Sequence, residues 1–171
     1  LIAYNPSADV FARAQPILET RKVSGKKVLI IGIGSLGSAC TESHTRCGVD
    51  NVVLIDPDRF EPANVGRHVC DLSDVGLYKT IAMRDRLKAI NPGCTVTTSE
   101  VDVTRRVDLL DRILPTVDLV LVCTDTKSSR LLVNERCLLH GVTAVYGGAY
   151  ERAFGGMVLR VVPGETPCYD C

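Results

Sequence analysis

Residues 27–37 read K-V-L-I-I-G-I-G-S-L-G, an apolar run that breaks into a glycine-rich loop. Lys27 to Ile31 is nearly continuous in Val, Leu and Ile, the composition of a strand covered on both faces. Gly32, Gly34 and Gly37 then carry the spacing G-x-G-x-x-G, with Ser35 inside it. Beyond them Leu36, Ala39, Cys40 and Cys47 recur on one helical stripe, and Gly48 is its expected stop. Strand, loop and helix in this order let a backbone turn tightly and approach a phosphate or ribose closely. The helix start adds free N–H groups and a partial positive charge. Asp56 ends the next apolar run, 19 residues after Gly37, where a carboxylate can accept hydrogen bonds from both ribose hydroxyls. A tight turn with no ligand is the plain alternative, and the register of all four features argues against it. NAD and ATP both carry an adenosine ribose, so the loop alone does not choose between them.

The same rhythm continues outward. Strands are expected at Asn51 to Ile55, Thr95 to Val101, Asp118 to Cys123, Val142 to Tyr146 and Met157 to Val162. Helical stripes lie between them. Met83, Leu87 and Ile90 run up to Asn91-Pro92-Gly93, and Val107, Leu110 and Leu114 run up to Pro115. Leu131, Leu132, Glu135, Leu138 and Leu139 form the last stripe, ended near Gly141. Such alternation implies right-handed βαβ crossovers. The expected fold is α/β: a Rossmann-like, doubly wound, mainly parallel sheet with helices on both faces. Two parts are expected: an N-terminal helical segment over 1–25, its helix running from about Ala8 to Lys22, and a Rossmann-like domain over 26–171.

Composition narrows the partners. The 171 residues carry 20 basic and 20 acidic side chains, so no global charge favours nucleic acid or an anionic membrane surface. With no Trp and only 5% aromatic residues, stacking on single-stranded nucleic acid has little support. No apolar run reaches the roughly 18–20 residues of a membrane span. The opening L-I-A-Y-N-P-S-A-D is not expected to be a secretory signal. Cys40, Cys47, Cys70, Cys94, Cys123 and Cys137 are scattered through apolar or helical segments and read as reduced, buried thiols of a cytoplasmic protein.

Residues further along favour a triphosphate. After Asp56 comes P-D-R-F-E-P-A-N-V-G-R-H, a polar loop holding Asn64 and Arg67. Lys79 follows where a helix begins, and Asp125 ends the fourth strand in V-C-T-D-T, with Arg130 shortly beyond. Carboxyl ends of parallel strands open onto one crevice. Gly34, Asp56, Asn64, Arg67 and Asp125 are therefore expected to converge there, with Lys79 reaching in. That set supplies a ribose acceptor, two phosphate-pairing cations and a carboxylate suited to Mg²⁺, which takes oxygen ligands. Singly, a Lys or Arg is more often a solvated surface residue, and Asp125 alone has an equally good reading as a helix N-cap. His44, His68 and His140 form no motif; His68 adjoins Arg67 and is read as a spectator.

Taken together, I-G-I-G-S-L-G-S, L-I-D-P-D…N-V-G-R-H, D-V-G-L-Y-K, L-V-C-T-D and P-C-Y-D-C resemble the ThiF/MoeB/HesA family, which includes ubiquitin-activating adenylation domains. The resemblance runs from about Lys27 to Cys171. It implies ATP-dependent adenylation of the C-terminal glycine of a ubiquitin-like or sulfur-carrier protein, in a homodimer. By that likeness Asp56 holds the ribose, and Asn64, Arg67 and Lys79 hold the phosphates, with Lys79 the most important in the transition state. Asp125 would bind Mg²⁺, and Arg130 matches a recurrent Arg. The chemistry suits these residue types. A terminal carboxyl, with a pKa near 3.5, is already an anion at neutral pH. No general base is needed, and preplaced cations bring two anions together.

Two departures matter. Relatives often carry Asn after the Mg²⁺-binding Asp; here Thr126 stands there, and its hydroxyl is expected to tune the site. The N-terminal V-F-A-R-A-Q matches poorly the segment whose Arg reaches a partner subunit's ATP, leaving Arg13 as the one candidate. Cys168-Tyr169-Asp170-Cys171 is C-x-x-C, which alone is redox-active, metal-binding or incidental. The resemblance implies half of a structural Zn²⁺ site. Since zinc takes four ligands, the chain is expected to be truncated before a second Cys pair. The rival readings are an NAD-dependent oxidoreductase, a non-catalytic scaffold subunit, and adenylation of a small molecule, peptide or tRNA base.

Overall fold

A computed structural model describes residues 19–150, 152 and 154–171, together with Phe11. Most of the expected N-terminal helix, and Arg13, lie outside those residues. Only a single turn, α1 (Thr20–Val23), is described from it. The order thereafter is β1 (Lys27–Ile31), α2 (Ser35–Arg46), β2 (Asn51–Ile55), α3 (Lys79–Ile90), β3 (Thr95–Ser99), α4 (Val107–Ile113), β4 (Leu119–Val122), α5 (Lys127–His140), β5 (Ala144–Ala149) and β6 (Gly156–Val161). Among the described residues the strands form one sheet, ordered β3-β2-β1-β4-β5-β6. Neighbours are parallel except β6, which runs antiparallel to β5. This is the expected α/β, Rossmann-like architecture.

Both faces of the sheet are covered. Val28, Ile30, Val52, Leu54 and Leu121 face one side with Met83 and Leu87 of α3. Leu29, Ile31, Val53, Ile55, Val120 and Val122 face the other, with Leu110 of α4 and Val133 of α5. Each such side chain contributes about 2 kcal/mol on burial. These two cores, rather than the loops, hold the strand ends in place.

Register then builds a rim. Ile31 pairs with Ile55 on one side and with Val122 on the other, so β1, β2 and β4 end at one level. Hydrogen bonding continues one residue further, from Gly32 N to Ile55 O, from Cys123 N to Ile31 O and from Asp56 N to Ser99 O. Gly32, Asp56 and Cys123 therefore emerge side by side.

Several boundaries and faces differ from expectation. β3 stops at Ser99 rather than Val101, because its partner β2 stops at Ile55 opposite Ser99. β5 starts later and runs on to Ala149, because β6 pairs with it as far as Ala149 opposite Gly156. α2 buries Gly37, Ser38, Thr41 and Thr45, not the Leu36–Cys47 stripe. Small and hydroxyl residues let it lie close, and Thr41 Oγ1 returns its hydrogen to Gly37 O at 2.6 Å. α5 likewise buries Ser129, Arg130, Val133, Asn134 and Cys137, leaving Leu138 and Leu139 exposed. Cys47 caps α2 and is exposed; Cys70, Cys94 and Cys137 are buried as expected, while Cys40 and Cys123 are half-buried. No helix among the described residues is long and apolar enough to cross a membrane.

Candidate active site

The rim opens into a cleft of about 980 Å³. Gly32, Gly34, Ser35, Asp56, Asn64, Arg67, Lys79, Asp125, Thr126 and Arg130 all line it, so these sequence-selected residues converge. Gly37 lies beneath the loop instead of on the cleft wall.

The three motif glycines have different reasons. Gly32 has φ +90, and a Cβ there would meet the Cys123 carbonyl carbon and Thr124 nitrogen at 2.9 Å. A Cβ on Gly37 would fall 1.8 Å from Gly32 O. Both are demanded by the fold, since helix and strand approach too closely for a methyl group. Gly34 has φ −83, caps α2 and has nothing within 4 Å of its missing Cβ. The fold does not require glycine there; the open space belongs to the cleft.

Asp56 is 5% exposed and ties the rim together. Its Oδ2 accepts from Ile33 N at 2.6 Å and its Oδ1 from Asp58 N at 2.9 Å. Burial pushes its carboxyl above the usual range, and the two backbone donors and Lys79 oppose that. Each oxygen keeps a lone pair for a further donor.

The loop from Pro57 to Tyr78 is pinned by Phe60, which is 1% exposed. Phe60 N donates to Leu77 O at 2.7 Å and Gly76 N to Phe60 O at 2.9 Å. Arg59 lies 4.0 Å over the Tyr78 ring, a cation–π contact. This closure brings Lys79 back over β2. Its ammonium donates to Asp58 Oδ2 at 2.7 Å, with the lysine side chain 12% exposed. Arg67 Nη1 reaches Ser35 Oγ at 3.1 Å, the first residue of α2. Asn64 Oδ1 accepts from Glu61 N at 2.9 Å in a capping box, leaving its NH₂ as the donor. His68 lines the cleft beside Arg67 and is held at both ring nitrogens. It bonds Ile33 O through Nε2 at 2.9 Å and accepts from Cys70 N through Nδ1 at 3.0 Å. Burial lowers its pKa and keeps it neutral.

Across the rim, the N-cap of α5 is Thr126, not Asp125. Thr126 Oγ1 accepts from Ser129 N at 3.3 Å. The capping alternative for Asp125 is thereby removed. Among the described residues its exposed carboxylate has no hydrogen-bond partner and lines the cleft. An exposed carboxylate on a cleft wall suits Mg²⁺, which binds through one or two carboxylates and substrate oxygens. Arg130 Nε donates to Thr124 O at 2.8 Å and Nη2 to Gly147 O at 2.7 Å.

Cys168 and Cys171 place their sulfurs 2.8 Å apart. The Cys171 thiol lowers the Cys168 pKa, favouring thiolate character. Two thiols fit half a zinc site; among the described residues no group of three or more potential ligands gathers. Tyr169 between them was missed by sequence reasoning as a cleft residue. It lines the cleft, stacks on Tyr146 at 4.7 Å and faces Arg130 at 5.9 Å, while Asn134 Oδ1 holds its backbone N at 3.0 Å. Asp58, the partner of Lys79, was also missed. The shared opening of parallel strand ends could have pointed to Asp58, just after β2, but not to Tyr169, which follows the antiparallel β6.

A ThiF family profile matches residues 7–171. Ubiquitin-like modifier-activating enzyme 5 of Drosophila ananassae is 32% identical over 180 residues, covering 98% of this chain and 45% of that protein. E. coli MccB crystallised with ATP superposes with a TM-score of 0.82 at 26% identity, covering 97% of this chain and 52% of that one. MccB crystallised with AMPCPP and MccA gives a TM-score of 0.84 at 25% identity, over 96% and 52%. The chain thus spans about half the length of the proteins it matches.

Proposed function

The chain belongs to the ThiF family, and from that premise we propose that it adenylates the C-terminal glycine of a ubiquitin-like or sulfur-carrier protein with ATP, releasing pyrophosphate. One observation carries the reading: Gly34, Asp56, Asn64, Arg67, Lys79 and Asp125 line a single cleft at the carboxyl ends of parallel strands. An NAD-dependent oxidoreductase has no use for the cations and the unpartnered carboxylate in that set.

In this reading Asp56 accepts the ribose hydroxyls. The Gly32–Gly37 loop lets the phosphates approach the start of α2. Asn64, Arg67 and Lys79 donate to phosphate oxygens, and Asp125 holds Mg²⁺. When bound, Mg²⁺ supplies Lewis-acid neutralisation of phosphate charge. The acceptor carboxylate attacks the α-phosphorus, so the residues orient two anions and stabilise the leaving group; none has to remove a proton. Lys79 must leave Asp58 or share it with phosphate. Cys168 and Cys171 would supply two of the four ligands that a structural zinc ion takes.

ATP–pyrophosphate exchange in the intact protein tests this. It should require a carrier ending in Gly-Gly and should fall about 100-fold or more in Lys79→Ala, the scale of one lost transition-state donor. Exchange untouched by Lys79→Ala, or tighter binding of NAD than of ATP, overturns the proposal.

A further inference from the structure

Arg130 is a buried cation that lacks a buried anion. It is 9% exposed, and none of the ion pairs among the described residues involves it. Its recorded hydrogen bonds go to two backbone carbonyls, Thr124 O and Gly147 O. Two of five guanidinium donors are thus spent, and neutral carbonyls do not cancel a full charge. Leaving such a charge uncompensated is costly. Yet space is kept for it: a Cβ on Gly148 would stand 3.0 Å from Nη2 and 3.2 Å from Nη1. A cation placed at this cost, on the wall of a cleft, expects its counter-ion from a ligand.

The order of strands says which ligand. Asp56 follows β2, the glycine loop follows β1, and Arg130 joins the segment after β4 to Gly147 within β5. Strands lie ~4.8 Å apart, so the gap between β4 and β5 is ~12 Å from β2. Lys79 and Arg67 are anchored to Asp58 and Ser35, on the β1–β2 side. If the ribose sits at Asp56 and the pyrophosphate lies with Lys79 and Arg67, Arg130 stands across the α-phosphate from the leaving group, on the side from which a nucleophile arrives. Nε and Nη2 are engaged by carbonyls, so Nη1 is the nitrogen left to donate a charge-assisted hydrogen bond to a carboxylate.

Resting on the adenylation reading above, we propose that Arg130 recognises the acceptor's terminal carboxylate. Its guanidinium holds the carboxylate while one oxygen bonds to the α-phosphorus. The bond from that phosphorus to the bridging oxygen breaks, and pyrophosphate leaves with the electron pair. No proton moves.

The test titrates triglycine and triglycinamide into the intact protein, with and without saturating AMPCPP. The wild type should favour the acid over the amide by tenfold or more. Arg130→Gln should reduce that preference to within twofold, and Arg130→Lys, which keeps the charge without the planar fork, to about threefold. Both variants should bind AMPCPP within twofold of wild type. Equal affinity of the wild type for acid and amide overturns the proposal. So does an acid preference that survives both substitutions while AMPCPP affinity falls, which would assign Arg130 to the phosphates. If AMPCPP fails to bind while an Arg130-dependent acid preference persists, the adenylation reading fails and carboxylate recognition stands.

Discussion

The two halves of the cleft are built differently. On the β1–β3 side the polar candidates already have protein partners: Asp56 holds Ile33 and Asp58, Lys79 holds Asp58, Arg67 holds Ser35 and His68 holds Ile33. On the β4–β6 side Asp125 has no described partner, and Arg130 has carbonyls but no counter-charge. The first half is held in place by its own bonds, which on the proposed function preorganises it for hydroxyls and phosphates. The second leaves charges to be completed from outside. On the proposed function, the cleft is rigid where the nucleotide would sit and incomplete where metal and acceptor would enter.

The largest expected effect falls where the halves meet. Gly37 lies against Gly32 O and 3.3 Å from Cys123 Cβ, so Gly37→Ala should cost ~3 kcal/mol or more in chemical denaturation. A variant as stable as wild type would break the view that one contact joins the halves. Next, Asp56→Asn should weaken AMPCPP binding about 10–100-fold by calorimetry, the worth of hydrogen bonds to a charged group. Its pH dependence sharpens this. Because the folded Asp56 pKa is raised above its unfolded value, the cost of its buried carboxylate is present at neutral pH and is relieved as pH falls through the raised value. Nucleotide affinity should move the other way and fall over that window, as the acceptor becomes protonated. The smallest effect belongs to the incomplete half. Asp125→Asn should leave metal-free AMPCPP affinity within about twofold, since it removes no described bond, while abolishing the gain from added Mg²⁺. Equal losses with and without Mg²⁺ would erase the distinction between the halves.

Most of the β1–β2 half of the cleft was legible in the sequence. β1 and β2 begin and end at the expected residues because a continuous apolar run bounded by Gly32 or by Asp56 is hard to misread. The acid and the polar loop could be placed because topology sends every parallel strand end to one rim. The helix faces were not legible. Periodicity marks apolar stripes, whereas α2 and α5 bury small and polar side chains where close approach matters more than apolar area. β5 looked finished at Gly147-Gly148, and only its antiparallel partner carries it to Ala149. The partnership of Asp58 with Lys79 spans 21 residues of loop, and that of Tyr169 with Tyr146 spans two elements. No local pattern records either contact.

Gly34 separates architecture from chemistry. Its backbone suits any residue and its neighbourhood is empty, so the scaffold imposes no selection on that codon. If phosphates lie over this loop as proposed, a larger side chain there would occupy their volume, while both cores and the rim bonds endure. On that reading a substitution at Gly34 separates binding from folding: ligand affinity falls while the stability of the scaffold is kept.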